Sequence, residues 1–200
     1  DQPVTAGGGR VRRPALRTES IEHPESGRIA VTLADCFAAD TDTDAVTLRL
    51  TIEFELTAAG VLRSRSHLTN TATETFELSS LATILPLAPV ARERLDFSGI
   101  WAAERQPQRS AIDYGTWLRE SRHGFGFRHG EVWAMHLGTS GDTRMWIDRS
   151  ALGVTTVGAA ELLASGEIRL AAGDTYQTPW AYAAWSDAGL DGLSDRFHAW

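Results

Sequence analysis

Asp40, Asp42 and Asp44 alternate in a short polar run, the residue types that open a calcium loop. Such a loop needs Gly at its sixth position and Glu at its twelfth. Ala45 and Thr51 stand there instead, so the run reads as a solvated turn. His123, His129 and His136 gather around Glu131, but their spacing matches no common zinc site and no HExxH arrangement exists. On a strand, His129 and Glu131 would share one face and His136 would point to the other. They read as surface or loop histidines, and neither a metal nor another cofactor is expected. Gly138-Thr139-Ser140-Gly141-Asp142 resembles a nucleophile elbow, yet Asp142 occupies the place of the second required Gly. A β-turn fits better. Gly124 and Gly126 begin like a dinucleotide loop, but His129 stands where the third Gly belongs and no helix follows.

Tryptophan is the remaining chemical signal. The seven are Trp101, Trp117, Trp133, Trp146, Trp180, Trp185 and Trp200. Sugars present apolar C–H faces that stack on aromatic rings, so an exposed Trp can be a sugar platform. Most Trp on strands is core or interface, with the indole N–H finding a partner. Trp101 stands apart because its segment looks irregular and polar-flanked, with Glu104 and Arg105 close by, and such segments carry function. Trp101, Glu104 and Arg105 are therefore the candidate residues for touching a sugar or a partner surface.

These residues need a scaffold, and the chain can build one. At 200 residues and 42% hydrophobic content it suits one domain with a real core. The formal charge of −7 argues against nucleic acid, whose phosphates call for a basic surface. All 19 cationic residues are Arg and none is Lys, which points to a GC-rich genome. The single Cys36 rules out an internal disulfide and reads as a small buried apolar residue. No run of about 20 apolar residues suggests a membrane span, and a cytoplasmic location is the default expectation.

The pattern is that of strands. Residues 1–13 read as loop or frayed end, and residues 27–37 alternate Ile29, Val31 and Leu33 with smaller or polar neighbours. The clearest element spans residues 46–56, where Val46, Leu48, Leu50, Ile52, Phe54 and Leu56 alternate with polar residues. That predicts a strand with one face buried and one wet. Gly60 then allows a hairpin into residues 61–68. Further strand-like runs fall at 73–78, 81–87, 114–121, 131–137, 144–148, 153–157, 167–170 and 180–185. Turn residues separate them at intervals of about ten, as in a sandwich. The last segment differs. Leu190, Leu193, Phe197 and Trp200 fall at i, i+3, i+7 and i+10, one face of a helix beginning at Gly189. With Trp on its apolar side and no C-cap Gly, this helix is expected to lead into more protein.

Three blocks carry a resemblance. They are GIWAAERQP at residues 99–107, GEVWAMHLGTSGDTRMWI at residues 130–147, and GDTYQTPWAYAAWSDAGLDGLSDRFHAW at residues 173–200. In order and spacing they resemble the N-terminal domain of family 36 α-galactosidases, the melibiase-type glycoside hydrolases. The likeness is good from about Arg63 to Trp200 and thin before that. It implies a mainly β fold: a large two-sheet antiparallel β-sandwich, or supersandwich, similar to galactose mutarotase, with a C-terminal linker helix. Residues 1–188 would form the sandwich, and residues 189–200 would start the helix leading to a (β/α)8 catalytic barrel.

The resemblance also implies a retaining α-galactosidase as the parent, acting on terminal α-galactosides of the melibiose and raffinose type. Retention uses two carboxyl groups about 5–5.5 Å apart. In the family both are Asp residues of the barrel, the nucleophile lying in a Lys-x-Asp motif that a chain without Lys cannot contain. The acid/base Asp follows a Gly-Gly-Gly-Arg segment. Gly7-Gly8-Gly9-Arg10 imitates it, but Arg12 stands in place of the Asp. No catalytic residue is expected here. The implied partners are the chain's own barrel, other copies in a homo-oligomer, and the α-galactoside bound by the parent. Trp101, Glu104 and Arg105 become candidates for the substrate rim or an interface. Two other readings compete: a stand-alone carbohydrate-binding β-sandwich module, and a mutarotase-type epimerase using His67, His136 and Glu131 as acid and base.

Overall fold

The computed structural model describes residues 14–35, 47–112 and 124–200. Strand accounts for 57% and helix for 6%, so the fold is mainly β, with several antiparallel sheets and one short C-terminal helix. The strands are β1 (Leu16–Glu22), β2 (Arg28–Asp35), β3 (Leu48–Leu56), β4 (Val61–Asn70), β5 (Phe76–Leu78), β6 (Ala82–Leu87) and β7 (Glu93–Ile100). They continue as β8 (Ala103–Ala111), β9 (Val132–Leu137), β10 (Thr143–Arg149), β11 (Thr155–Glu161), β12 (Ile168–Leu170), β13 (Thr175–Gln177) and β14 (Ala181–Ser186). The helix α1 covers Gly189–His198. Cys36, the Asp40–Asp44 run, the strand expected over 114–121, Trp117 and His123 lie outside the described residues.

The chain divides into two units, and β3 and β4 each contribute residues to both. In the first unit the strand order is β1-β2-β3-β4, with β13 also pairing β4, and β5 pairs β12. Leu48 and Leu50 of β3 are buried, as the alternation predicts. Asn70 organises this unit. At 1% exposure, its Nδ2 donates to the carbonyls of Glu74 (2.7 Å) and Leu170 (2.9 Å), while its Oδ1 accepts from the Ala72 N–H at 3.1 Å. A buried amide with its donors and its acceptor in use is stabilising, whereas an unpaired one would be costly. Asp35, also buried, accepts from the Ala15 N–H at 2.9 Å and the Thr47 hydroxyl at 3.0 Å.

The second unit is layered. One sheet runs β3-β4-β14-β9 and another runs β10-β11-β6. Leu137, Ala159 and Ala181 are buried together with Met135 against them, so β9 and β14 pack on β11. Gly158 of β11 lies under the Trp146 indole, and a Cβ there would meet ring atoms at 2.4 Å. Helix α1 covers another patch: Leu193 is buried with Val132 and Ala184, and Leu190, Phe197, Ala134 and Phe125 pack around them. The helical spacing of Leu190, Leu193 and Phe197 is thus what docks α1 on β9 and β14.

The start of α1 has no side-chain cap. Its first donors go to the loop 124–130 instead. The Gly189, Leu190 and Asp191 N–H groups donate to the carbonyls of Gly130 (3.0 Å), Gly126 (3.0 Å) and Phe127 (2.8 Å). This satisfies three of the four orphan N–H groups of a helix start. Gly126, whose spacing from Gly124 resembles a dinucleotide loop, instead lends its carbonyl to the helix.

Candidate functional site

Trp101, Glu104 and Arg105 lie at the tip of a hairpin, not in an irregular segment. β7 and β8 pair from Glu93↔Ala111 to Ile100↔Ala103, leaving Trp101 and Ala102 as the turn. A register shift between Ser98 and Ile100 sets Gly99 in a bulge. A Cβ at Gly99 would stand 2.6 Å from the Ala103 carbonyl oxygen and 2.7 Å from the Glu104 Cα, so the crossing backbone excludes a side chain there. Ala102 (φ 64°) and Arg105 (φ 56°) hold left-handed conformations without being glycine. Each such residue costs about 1–2 kcal/mol. The Glu104 carboxylate offsets part of this by accepting from the Ala102 N–H at 3.0 Å.

The hairpin is unusually bare. All nine residues of β8 are exposed, and among the described residues no third strand pairs with β7 or β8. Its ladder is polar: Gln108 donates to Ser98 Oγ at 3.3 Å, and Arg109 pairs with Glu93 at 2.9 Å. The base is anchored by buried Ala91 and Ile112, and by the Arg109 guanidinium 4.5 Å from the centroid of the Phe125 ring. Towards the tip, Phe97, Ile100 and Trp101 are 64%, 77% and 92% exposed. A two-stranded hairpin is marginal alone in water, and this one ends in exposed apolar groups.

The other described tryptophans are engaged. Trp133 and Trp185 are cross-strand partners on β9 and β14. Trp180 has the guanidinium carbons of Arg63 and Arg65 at 4.6 and 4.3 Å from its ring centroid, and Trp200 lies 5.1 Å from Tyr182. Among the described tryptophans, Trp101 alone is presented almost whole to solvent.

No acid–base constellation assembles from the remaining candidates. His129 sits in a bend before β9, and Glu131 precedes that strand, so they do not share a strand face. His136 lies five residues beyond Glu131, about 16 Å along an extended chain, too far for both to reach one sugar ring. His67 Nε2 lies 3.4 Å from Glu53 Oε1 in the first unit. Among the described residues no group of three or more His, Cys, Asp or Glu could hold a metal ion. Gly138–Asp142 is the connection between β9 and β10, where the Gly141 N–H donates to Thr139 Oγ1 at 3.2 Å.

Comparison with known proteins supplies what the geometry lacks. The profile described as glycosyl hydrolase family 36 N-terminal domain matches residues 12–126. The chain belongs to that family. The match reaches well before Arg63, where short motifs carry little resemblance. The Escherichia coli α-galactosidase is 33% identical over 201 residues, 92% of this chain and 27% of that protein. The probable α-galactosidase G of Emericella nidulans is 27% identical over 155 residues, 69% of this chain and 21% of its own length. The fold recurs in the galactosidase domain of an α-galactosidase–sucrose kinase, with a TM-score of 0.71 at 19% identity over 92% of this chain and 29% of the other. It recurs in the Lactobacillus brevis α-galactosidase, with a TM-score of 0.71 at 20% identity over 98% of this chain and 32% of the other. The chain therefore spans about a third or less of each of these relatives. Among the described residues, no helix is long and apolar enough to cross a membrane.

Proposed function

We propose that this family 36 N-terminal domain is the non-catalytic part of a retaining α-galactosidase. The full-length protein would hydrolyse terminal α-galactosides of the melibiose and raffinose type on a (β/α)8 barrel that follows α1. In this reading residues 1–188 are the β-rich domain, residues 189–200 begin the connection, and the domain packs on the barrel and supports oligomer contacts. The observation that carries the proposal is the pairing of 33% identity over 92% of this chain with only 27% of the E. coli α-galactosidase. The chemistry of the site is compatible with a supporting role: the described residues offer exposed aromatic and guanidinium surfaces.

The β7–β8 hairpin has the form of an arm for such a role. Its exposed Trp101, with Glu104 and Arg105 beside the turn, offers a sugar C–H face a flat ring and a neighbouring subunit an anchor. The native gene tests the reading. Downstream of codon 200 it should encode about 250 or more residues of alternating strands and helices, with a Lys-x-Asp at a strand end. A stop codon directly after Trp200 would overturn it.

A further inference from the structure

One face of the β4-β14-β9 sheet is only partly used by α1. Tyr182 pairs with Arg63 on one side and His136 on the other, and directly paired residues share a face. Ala184, two residues on from Tyr182, belongs to the same face and is the part that Leu193 of α1 covers. Beyond that cover the face presents Arg63, Arg65, His136, Trp180 and Tyr182. Both guanidinium groups lie against Trp180, Arg63 pairs with Glu55 at 2.7 Å, and Trp200 reaches back to Tyr182. The Arg63 Nε is shielded from solvent and has no hydrogen-bond acceptor among the described residues. Arginine, Trp and Tyr held in fixed rotamers by stacking are the side chains that dominate protein–protein contacts.

We infer that this Arg–Trp–Tyr patch is the seat of the polypeptide that follows α1 in the full-length protein. The inference rests on the reading of the chain as the N-terminal part of a longer α-galactosidase. The occupant follows from two observations. The family is an N-terminal one, and the chain covers only 27–32% of the E. coli, sucrose kinase-linked and L. brevis relatives, so most of their length comes after this domain. Trp200, just beyond α1, lies beside the patch through its contact with Tyr182, so the polypeptide that follows in the proposed full-length protein starts there at high effective concentration. The incoming surface should bring apolar atoms onto Trp180 and Tyr182.

Hydroxyl-radical labelling of the full-length protein and of the 200-residue chain tests this. Trp180 and Tyr182 should be oxidised several-fold more slowly in the full-length protein. Arg65→Glu should raise those rates in the full-length protein by more than the rise that loss of the Arg65 cover over Trp180 gives in the 200-residue chain. Equal rates in the two unsubstituted proteins overturn the proposal, as does an Arg65→Glu full-length protein that labels like its parent. Labelling of the 200-residue chain that falls with its own concentration also overturns it, because a second copy is then the occupant. Hydrolysis of nitrophenyl α-galactoside, followed in parallel, separates the two readings. Activity with unprotected Trp180 removes the docking surface alone, and protection without activity removes the enzymatic reading alone.

Discussion

Gly189→Ala asks whether the loop 124–130 fixes the start of α1. Gly189 has φ +72°, and a Cβ there would stand 2.5 Å from the Gly126 carbonyl oxygen and 2.7 Å from both the Phe127 carbonyl oxygen and the His129 nitrogen. All three are backbone atoms, so no side-chain rotation relieves the clash. The left-handed conformation alone costs Ala about 1–2 kcal/mol. The added methyl also pushes away the two carbonyls that accept from Leu190 and Asp191, and losing those bonds costs about 1 kcal/mol each. The lower entropy of the unfolded alanine chain returns only about 0.4–1 kcal/mol. The expected loss is therefore about 3 kcal/mol, or roughly 6–12 °C in Tm for a domain of this size. Gly153→Ala is the reference: its φ is +82° and nothing lies within 4 Å, so only the backbone term applies, about 1 kcal/mol and roughly 2–4 °C. Thermal and urea unfolding of both variants, with far-UV circular dichroism following the helix, gives the comparison. Equal losses in the two variants would refute the claim that backbone carbonyls of this loop hold α1.

Other outcomes follow from the same geometry. Asn70→Asp puts acceptors where the Glu74 and Leu170 carbonyls need donors, so urea unfolding should show a loss of about 3 kcal/mol or more; a loss under about 1 kcal/mol would contradict the buried network. Leu193→Ala opens a void between α1, Val132 and Ala184, and should cost about 2–3 kcal/mol by chemical denaturation. Ala102→Gly relieves a left-handed alanine and should leave stability unchanged or raise it by up to about 1 kcal/mol, whereas a clear destabilisation would speak against the turn geometry. Trp101→Ala should leave the unfolding midpoint of the chain within about 0.5 kcal/mol of the parent, because the ring packs on so little. In the full-length protein it should shift the mass seen by light scattering or raise KM; no change in either would dismiss the hairpin as an arm.

Legibility in the sequence tracked burial. β3 was readable because Leu48 and Leu50 go into the core, although the pattern overstates burial at its end, where Leu56 is 58% exposed. Helix α1 was readable because three apolar residues at helical spacing meet one patch. β7 and β8 left no trace, because β8 is exposed along its whole length and β7 from Phe97 onward, so alternation is not needed there, and Pro107 within β8 argues against a strand unless it stands on an edge. β1 was hidden by the register shift between Thr18 and Ser20, which breaks the period of two between Leu16 and Ile21. The placement of Trp101 at a turn follows from that missed hairpin. The capping of α1 by Gly126, Phe127 and Gly130 could not be seen either, because the partners lie about sixty residues apart and bond through backbone carbonyls that carry no side-chain signature.

Hydrolysis of nitrophenyl α-galactoside, measured side by side for the 200-residue chain and the full-length protein at equal molar concentration, is the most direct test of a domain whose chemistry resides elsewhere in the polypeptide. The full-length protein should release nitrophenol with the α-configuration of galactose retained, and the 200-residue chain should release none above blank. Turnover by the 200-residue chain alone would contradict it.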